Sequence, residues 1–139
     1  MVTKNFIIKR SYLMTKFCKN LINDYIEWLR QNISIKEING IYEITTPFLD
    51  RHNDHLQIYI KKSDGGLILT DNGQTITNLR LSGFEFTPEK KQILNSILNG
   101  FGVKLLEDKL VIESTPENFP QKKHNLIQAI LYISSCNIL

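Results

Sequence analysis

The chain has 139 residues, of which 42% are hydrophobic, 22% charged and 9% aromatic, with a net charge of +3. This composition is typical of one globular domain and excludes disordered, collagen-like and low-complexity proteins. The longest apolar stretches, such as Leu126 to Ile133, are well short of the roughly 20 residues that a membrane-crossing helix needs, so a membrane protein is not expected.

The positive charge is concentrated at the start of the chain, since the first twenty residues contain five bases and no acid. The remainder contains more acids than bases. We interpret residues 1–14 as a basic extension and residues 15–135 as a single domain. The start lacks the apolar run and the cleavage site of a secretory signal peptide, so a cytoplasmic location is expected. The five bases are Lys4, Lys9, Arg10, Lys16 and Lys19.

The two cysteines, Cys18 and Cys136, lie at opposite ends of the chain. They are too few for a disulfide framework, and their spacing does not match a zinc site. We expect both thiols to be reduced and buried, and we expect no cofactor.

From Thr15 onward, apolar residues recur at spacings of three and four, which predicts a first helix that ends near Gln31. Trp28 lies at the edge of this apolar stripe, where packing in a core is the expected role. The stripe consists of Phe17, Leu21, Ile22, Tyr25, Ile26 and Leu29.

The period then changes to two, and the turn Asn39-Gly40 between alternating segments predicts a hairpin. Pro47 is expected to end the second strand, because it lacks the backbone donor that a ladder needs. Residues 56–61 and 67–70 alternate around a Gly-Gly turn, which completes a meander of about four strands.

After Asp71 the pattern predicts a short helix that stops at Ser82-Gly83, and Thr87-Pro88 predicts the start of another. A second hairpin at about residues 103–112 and a final helix from about Gln121 to Ser134 complete the chain. This order predicts a single α+β domain, with a mainly antiparallel sheet of four to six strands and three or four helices packed on one side.

The densest polar cluster covers residues 50–55, and the hairpin that follows brings Asp71 and Asn72 to the same end of the sheet. Two interpretations remain open. Carboxylates with a histidine can bind a divalent cation and activate water, so Asp50, Asp54, His55 and Asp71 form a candidate hydrolase site, with Asp54, His55 and Asp71 as the metal ligands. Alternatively, the acids cap turns through backbone hydrogen bonds, and the cluster is a binding surface. The full cluster is Asp50, Arg51, His52, Asn53, Asp54 and His55.

A second group, Lys122, Lys123 and His124, lies near the start of the last helix, where exposed amides favour an anion. A solvated basic turn is the simpler interpretation. The sequence contains no nucleophile elbow, no paired Cys and His, and no dinucleotide fingerprint, so covalent catalysis is not expected.

Four segments of unusual sequence carry a family resemblance: Thr46 to Tyr59, Leu69 to Gly73, Leu94 to Val103 and Glu117 to Ala129. Together they resemble the family catalogued as domain of unknown function 1828, which occurs in phages, prophages and other mobile elements. The resemblance extends from about Lys16 to Ile133. Members often continue into a second domain, and this chain is expected to be a stand-alone version without it.

The resemblance implies a small accessory protein of a mobile element, comparable to anti-CRISPR proteins. We therefore expect a non-catalytic protein that inhibits host defence by binding a nuclease effector complex or its RNA. The alternatives are a metal-dependent nuclease or hydrolase at the acidic cluster, and a nucleic-acid-binding module at the basic start. The expected partner is a host protein or ribonucleoprotein, with nucleic acid as a further partner. A homodimer that forms through an exposed sheet edge is a further interpretation that the sequence allows.

Overall fold

The computed structural model describes residues 2–135, which form four helices and a six-stranded antiparallel sheet. The strands lie in the order β1-β2-β3-β4-β6-β5. This architecture confirms the predicted α+β class. The helices are α1 (Val2–Gln31), α2 (Gln74–Leu81), α3 (Pro88–Gly100) and α4 (Phe119–Ser135). The strands are β1 (Ser34–Ile38), β2 (Ile41–Leu49), β3 (His55–Ser63), β4 (Gly66–Thr70), β5 (Lys104–Leu106) and β6 (Lys109–Ser114).

The chain divides into two compact units, residues 1–33 and residues 34–139. The first is the helix α1, which begins at Val2 and not at Thr15, where the apolar stripe begins. The segment before Thr15 contains neither Pro nor Gly, so intrinsic propensity permits a helix there without a regular stripe. The side-chain amide Nδ2 of Asn32 donates to the carbonyl of Trp28 at 2.8 Å, and its backbone amide donates to the same carbonyl at 3.1 Å, which closes the last turn.

Two expectations for this helix are wrong. Trp28 is 50% exposed, not packed in a core. Cys18 is an exposed free thiol, not a buried one, and Cys136 lies outside the described residues. Helical periodicity identifies an apolar face, but it does not determine what covers that face.

The second unit begins with the predicted four-stranded meander. At the β1–β2 turn, Asn39 and Gly40 both have positive φ, as a tight hairpin turn requires. Pro47 does not end β2, contrary to expectation, because the β2–β3 register shifts between Thr45 and Leu49. A bulge of this kind tolerates the missing N–H of proline, so the strand continues to Leu49.

The core of this unit lies on one face of the sheet, under α2, α3 and α4. Ile44 of β2 faces Ile58 of β3 in the register, and Leu69 of β4 faces Ile112 of β6. All four side chains are buried, together with Leu94, Leu98, Leu126 and Ile130 of the helices. Gly66 at the start of β4 is required sterically, since a Cβ there would lie 2.7 Å from the Ser114 carbonyl oxygen.

The remaining elements follow the predicted signals closely. Thr87 caps α3 by accepting a hydrogen bond from the Lys90 amide. The helix α4 begins at Phe119, so Pro120 lies in its first turn and does not precede the helix. Proline is tolerated there, since the first amides of a helix have no intrahelical acceptor.

Candidate functional site

A polar cleft of about 400 Å³ lies at the end of the sheet where β2 and β4 finish and β3 begins. Backbone geometry at this edge places the acidic cluster beside the start of α2. The structure therefore brings the four residues of the hydrolase hypothesis to one cleft. Its polar lining comprises Thr45, Asp50, Asp54, His55, Gln57, Asp71, Gln74, Thr75, Asn78 and Ser134.

Asp71 is only 1% exposed, and both of its carboxylate oxygens are engaged. One oxygen accepts from the amides of Gly73 and Leu110, each at 2.9 Å. The other accepts from the amide of Thr75 at 2.9 Å. Three backbone donors therefore satisfy this carboxylate, which holds the start of α2 against β6.

Asp50 plays the same role at the neighbouring turn, where it is half-buried. Its Oδ1 accepts from the amides of His52 at 2.8 Å and Asp54 at 3.0 Å. Its Oδ2 accepts from the side-chain amide of Asn78 in α2 at 3.2 Å. The turn-capping interpretation therefore accounts for the contacts of Asp50 and Asp71.

The side chains of Asp54 and His55 make fewer hydrogen bonds within the chain than those of Asp50 and Asp71. The Asp54 side chain is exposed and makes no hydrogen bond to another residue in the described part of the chain. Nδ1 of His55 lies 2.9 Å from the carbonyl oxygen of Thr46, so this nitrogen carries the proton and donates it. This hydrogen bond fixes the orientation of the ring.

The loop of residues 50–54, called here the Asp50 loop, is exposed but well anchored on α2. The guanidinium of Arg51 lies 5.3 Å from the ring centroid of Phe84, within cation–π range. His52 Nε2 lies 3.2 Å from Ser82 Oγ, at the end of α2. Asn53 adopts positive φ, which asparagine tolerates better than most residues. The loop therefore presents its polar side chains in a fixed arrangement.

A polar network beside the cleft was not anticipated from the sequence. Nε2 of Gln57 donates to Glu43 Oε1 and to Thr45 Oγ1, each at 3.2 Å. The hydroxyl of Tyr59 donates to Glu43 Oε2 at 3.1 Å. Burial raises the pKa of Tyr59 above its ordinary value, and the hydrogen bond and charge of Glu43 and the charge of Asp71 raise it further. The alternation of side chains along β2 and β3 could have indicated this network, because it places Glu43, Thr45, Gln57 and Tyr59 on one face of the sheet.

The chemistry available at the cleft is limited by these contacts. Within residues 2–135, no group of three His, Cys, Asp or Glu side chains has the arrangement needed to hold a metal ion. Asn72, with positive φ, donates its amide to Thr70 Oγ1 and forms part of the turn.

The structure separates the basic group of α4 from this cleft. Lys122 lines a different cavity of about 810 Å³, next to the β3–β4 turn and β6. Burial lowers the pKa of Lys123 below its ordinary value. His124 is exposed, with Nε2 at 3.4 Å from the side-chain nitrogen of Gln128. The cleft is lined by the opposite end of α4, through Ile130 and Ser134.

The five bases of the nucleic-acid hypothesis are exposed on α1. At about 100° per residue, Lys9, Lys16 and Lys19 fall on one side of the helix. Lys4 and Arg10 fall elsewhere around it. The segment therefore presents a short basic stripe of three lysines.

Comparison with protein families assigns the chain to a class. The family model described as "Domain of unknown function DUF1828" matches residues 46–133. Because the match covers more than half of the chain, this protein belongs to the DUF1828 family. The matched region includes the Asp50 loop, the helices α2 and α3, all but the last two residues of α4, and the cleft residues other than Thr45 and Ser134. It begins after α1 and β1.

No curated protein and no solved structure matches the chain significantly. Among residues 2–135, no helix combines the length and the apolar character that crossing a bilayer requires.

Proposed function

We propose that this chain is a non-catalytic binding protein of a mobile element, which inhibits a defence system in the cytoplasm of a bacterial host. Its partner is a nuclease effector complex, such as a CRISPR effector, or the RNA of that complex. One observation carries the proposal: Asp71, which the hydrolase hypothesis needs as a metal ligand, and Asp50, which it places in the same site, both accept structural hydrogen bonds at the cleft.

The Asp50 loop is the proposed contact surface. Its residues Arg51, His52, Asn53 and Asp54 are all exposed, while bonds from Asp50 and His52 to α2 keep the backbone in place. A surface that is already ordered loses little conformational entropy when it binds, which favours affinity. The link to host defence is supported only by the association of such domains with mobile elements, which is an argument by analogy.

The test is an inhibition assay with reconstituted CRISPR effector complexes that cleave a labelled target. We expect the wild-type chain to slow cleavage in proportion to its concentration. Asp54→Lys should weaken inhibition by about tenfold or more, since it reverses an exposed charge in the contact surface. Asp64→Lys is the matched control, because Asp64 is an exposed acid in the β3–β4 turn, and it should inhibit like the wild type.

Equal inhibition by the two variants would overturn the assignment of the Asp50 loop. The absence of inhibition across a panel of defence effectors would overturn the proposed function itself.

The hydrolase alternative has one observation in its favour, the presence of Asp54 and an oriented His55 in the same cleft. It predicts that the chain alone degrades DNA or RNA when magnesium or manganese is added. His55→Ala should abolish that degradation, while Asp64→Lys should retain it. Such a result would replace the binding proposal with the hydrolase.

A further inference from the structure

The surface of α1 carries an unusual amount of exposed apolar side chain. Seven large residues between Met14 and Trp28 are 48–60% exposed. Apolar patches of this extent mark interaction sites in soluble proteins. A single amphipathic helix also gains most of its stability from packing of its apolar face. The seven residues are Met14, Phe17, Leu21, Ile22, Tyr25, Ile26 and Trp28.

The apolar face is confined to the second half of the helix. At about 100° per residue, the apolar residues from Met14 to Leu29 fall on one half of the helix surface. Lys16, Asn20, Asn23 and Glu27 occupy the other half. Before Met14, by contrast, apolar residues such as Phe6 and Tyr12 point in different directions around the axis.

We infer that this face pairs with the same face of a second copy of this chain, in an antiparallel helix pair with two-fold symmetry. The polarity pattern from Met14 to Leu29 reads the same from either end about a midpoint between Leu21 and Ile22, except at Trp28, which is level with Thr15. An antiparallel pair centred there places the other apolar residues level with apolar residues, as an isologous interface requires. The matching positions are Met14 with Leu29, Phe17 with Ile26, Cys18 with Tyr25, and Leu21 with Ile22.

The helix dipoles favour the antiparallel direction over the parallel one, because a parallel pair would align the two dipoles unfavourably. Lys16 and Glu27 lie on the half of the helix that faces away from the partner, so these charges do not contribute to the pairing.

The exposed apolar area is that of a small interface. Three of the seven residues are aromatic, and such side chains bury roughly 150–250 Å² each, whereas the four aliphatic side chains are smaller, so the half-exposed face offers roughly 500 Å² per chain. Standard protein interfaces bury about 800 Å² per partner. The helix pair alone therefore supplies more than half of the area of a standard interface.

Sedimentation analysis of the full chain at micromolar concentration tests the pairing, with Leu21→Lys as the disruptive variant. Leu21 lies next to the two-fold axis, so each dimer would bury two lysines, and we expect the dissociation constant to rise by about 100-fold or more. Asn20→Lys, on the polar half of the same helix, is the control and should remain a dimer. Circular dichroism should show unchanged helix content for Asn20→Lys, whereas Leu21→Lys should lose part of the signal of α1, because its apolar face no longer packs.

The direction of the pair is tested by oxidation of the Tyr25→Cys variant. The antiparallel arrangement predicts a disulfide between Cys18 of one copy and the introduced thiol of the other, identified by mass spectrometry. A Cys18–Cys18 bridge as the main product would indicate a parallel pair and overturn the inference. A chain that remains monomeric, or a dimer that survives Leu21→Lys, would overturn it as well.

Discussion

The turns at Asp71 and Asp50 use the same device with different degrees of burial. Each acid follows a strand, and each accepts three hydrogen bonds, at least two of which come from backbone amides. Asp71 is buried, and one of its donors is the amide of Leu110 in β6. Asp50 is half-buried, and its only distant donor is the Asn78 side chain of α2.

From this difference in burial we expect the same turn motif to contribute more to the free energy of unfolding at Asp71 than at Asp50. When the carboxylate is accessible to solvent, water replaces its lost hydrogen bonds at little cost in free energy. The motif then contributes little to stability beyond favouring the turn conformation. When the carboxylate is buried, no solvent can satisfy the abandoned donors, so the motif supports the fold. The Asp71 turn thus supports the fold, while the Asp50 loop keeps its side chains from Arg51 to Asp54 exposed.

The largest expected effect is that of Asp71→Asn, which places an amide group among three backbone donors. We expect the free energy of unfolding to fall by about 2–4 kcal/mol, since hydrogen bonds to a buried charged group are strong and cannot be replaced by water. Urea denaturation measures this change. Asp64→Asn, in an exposed turn, should alter stability by less than about 0.5 kcal/mol. A similarly small loss at position 71 would contradict the structural role.

The same substitution at the exposed turn, Asp50→Asn, should cost about 1 kcal/mol or less, because asparagine also favours such turns and water reaches the site. The comparison by urea denaturation is direct, since the two variants share their chemistry. If both substitutions cost equally, burial would not be the factor that distinguishes the turns.

The smallest expected effect is electrostatic and concerns the raised pKa of Tyr59, to which the Asp71 charge contributes least among the named causes. Asp71→Asn should lower this pKa slightly, and Asp50→Asn should leave it unchanged. Absorbance titration of the tyrosinate, with Tyr59→Phe to identify the signal, measures both. Glu43→Gln, which removes a larger contribution, should lower the pKa further and serves as the positive control.

The raised pKa also sets a pH dependence of stability. Because the folded chain retains the Tyr59 proton above pH 10.0, the ordinary value at which the unfolded chain releases it, the contribution is complete below that pH. It is lost as the pH rises from there through the folded pKa. Tyr59→Phe should flatten this alkaline decline, and an unchanged decline would contradict the assignment.

The sequence predicted most elements of the second unit because short-range signals control them. Asn39-Gly40 and Thr87-Pro88 act on their own backbone, and the structure shows them at the predicted turn and cap. Pro47 and the exposure of Trp28 were predicted wrongly for the opposite reason. A bulge depends on the partner strand, and burial of a helix face depends on what packs against it, so neither is encoded locally.

The candidate site was predictable in position but not in role. Hairpin pairing was enough to bring Asp54 and Asp71 to one end of the sheet. The decisive contact, from the Leu110 amide to Asp71, connects residues far apart in sequence and could not be read from either segment. The side chain of Asn78 was missed for the same reason, since nothing in α2 indicates that it faces the Asp50 loop.

The carboxylate of Asp71 also couples the opening of two elements. It binds the amides of Gly73 and Thr75 at the start of α2 and the amide of Leu110 in β6. If either the start of α2 or this end of the β4–β6 ladder opens, the Asp71 carboxylate is exposed to solvent and loses amide donors. The other element still depends on hydrogen bonds to the same carboxylate. We therefore expect the two elements to open as one cooperative unit, so that hydrogen exchange of their amides reports a common free energy of opening.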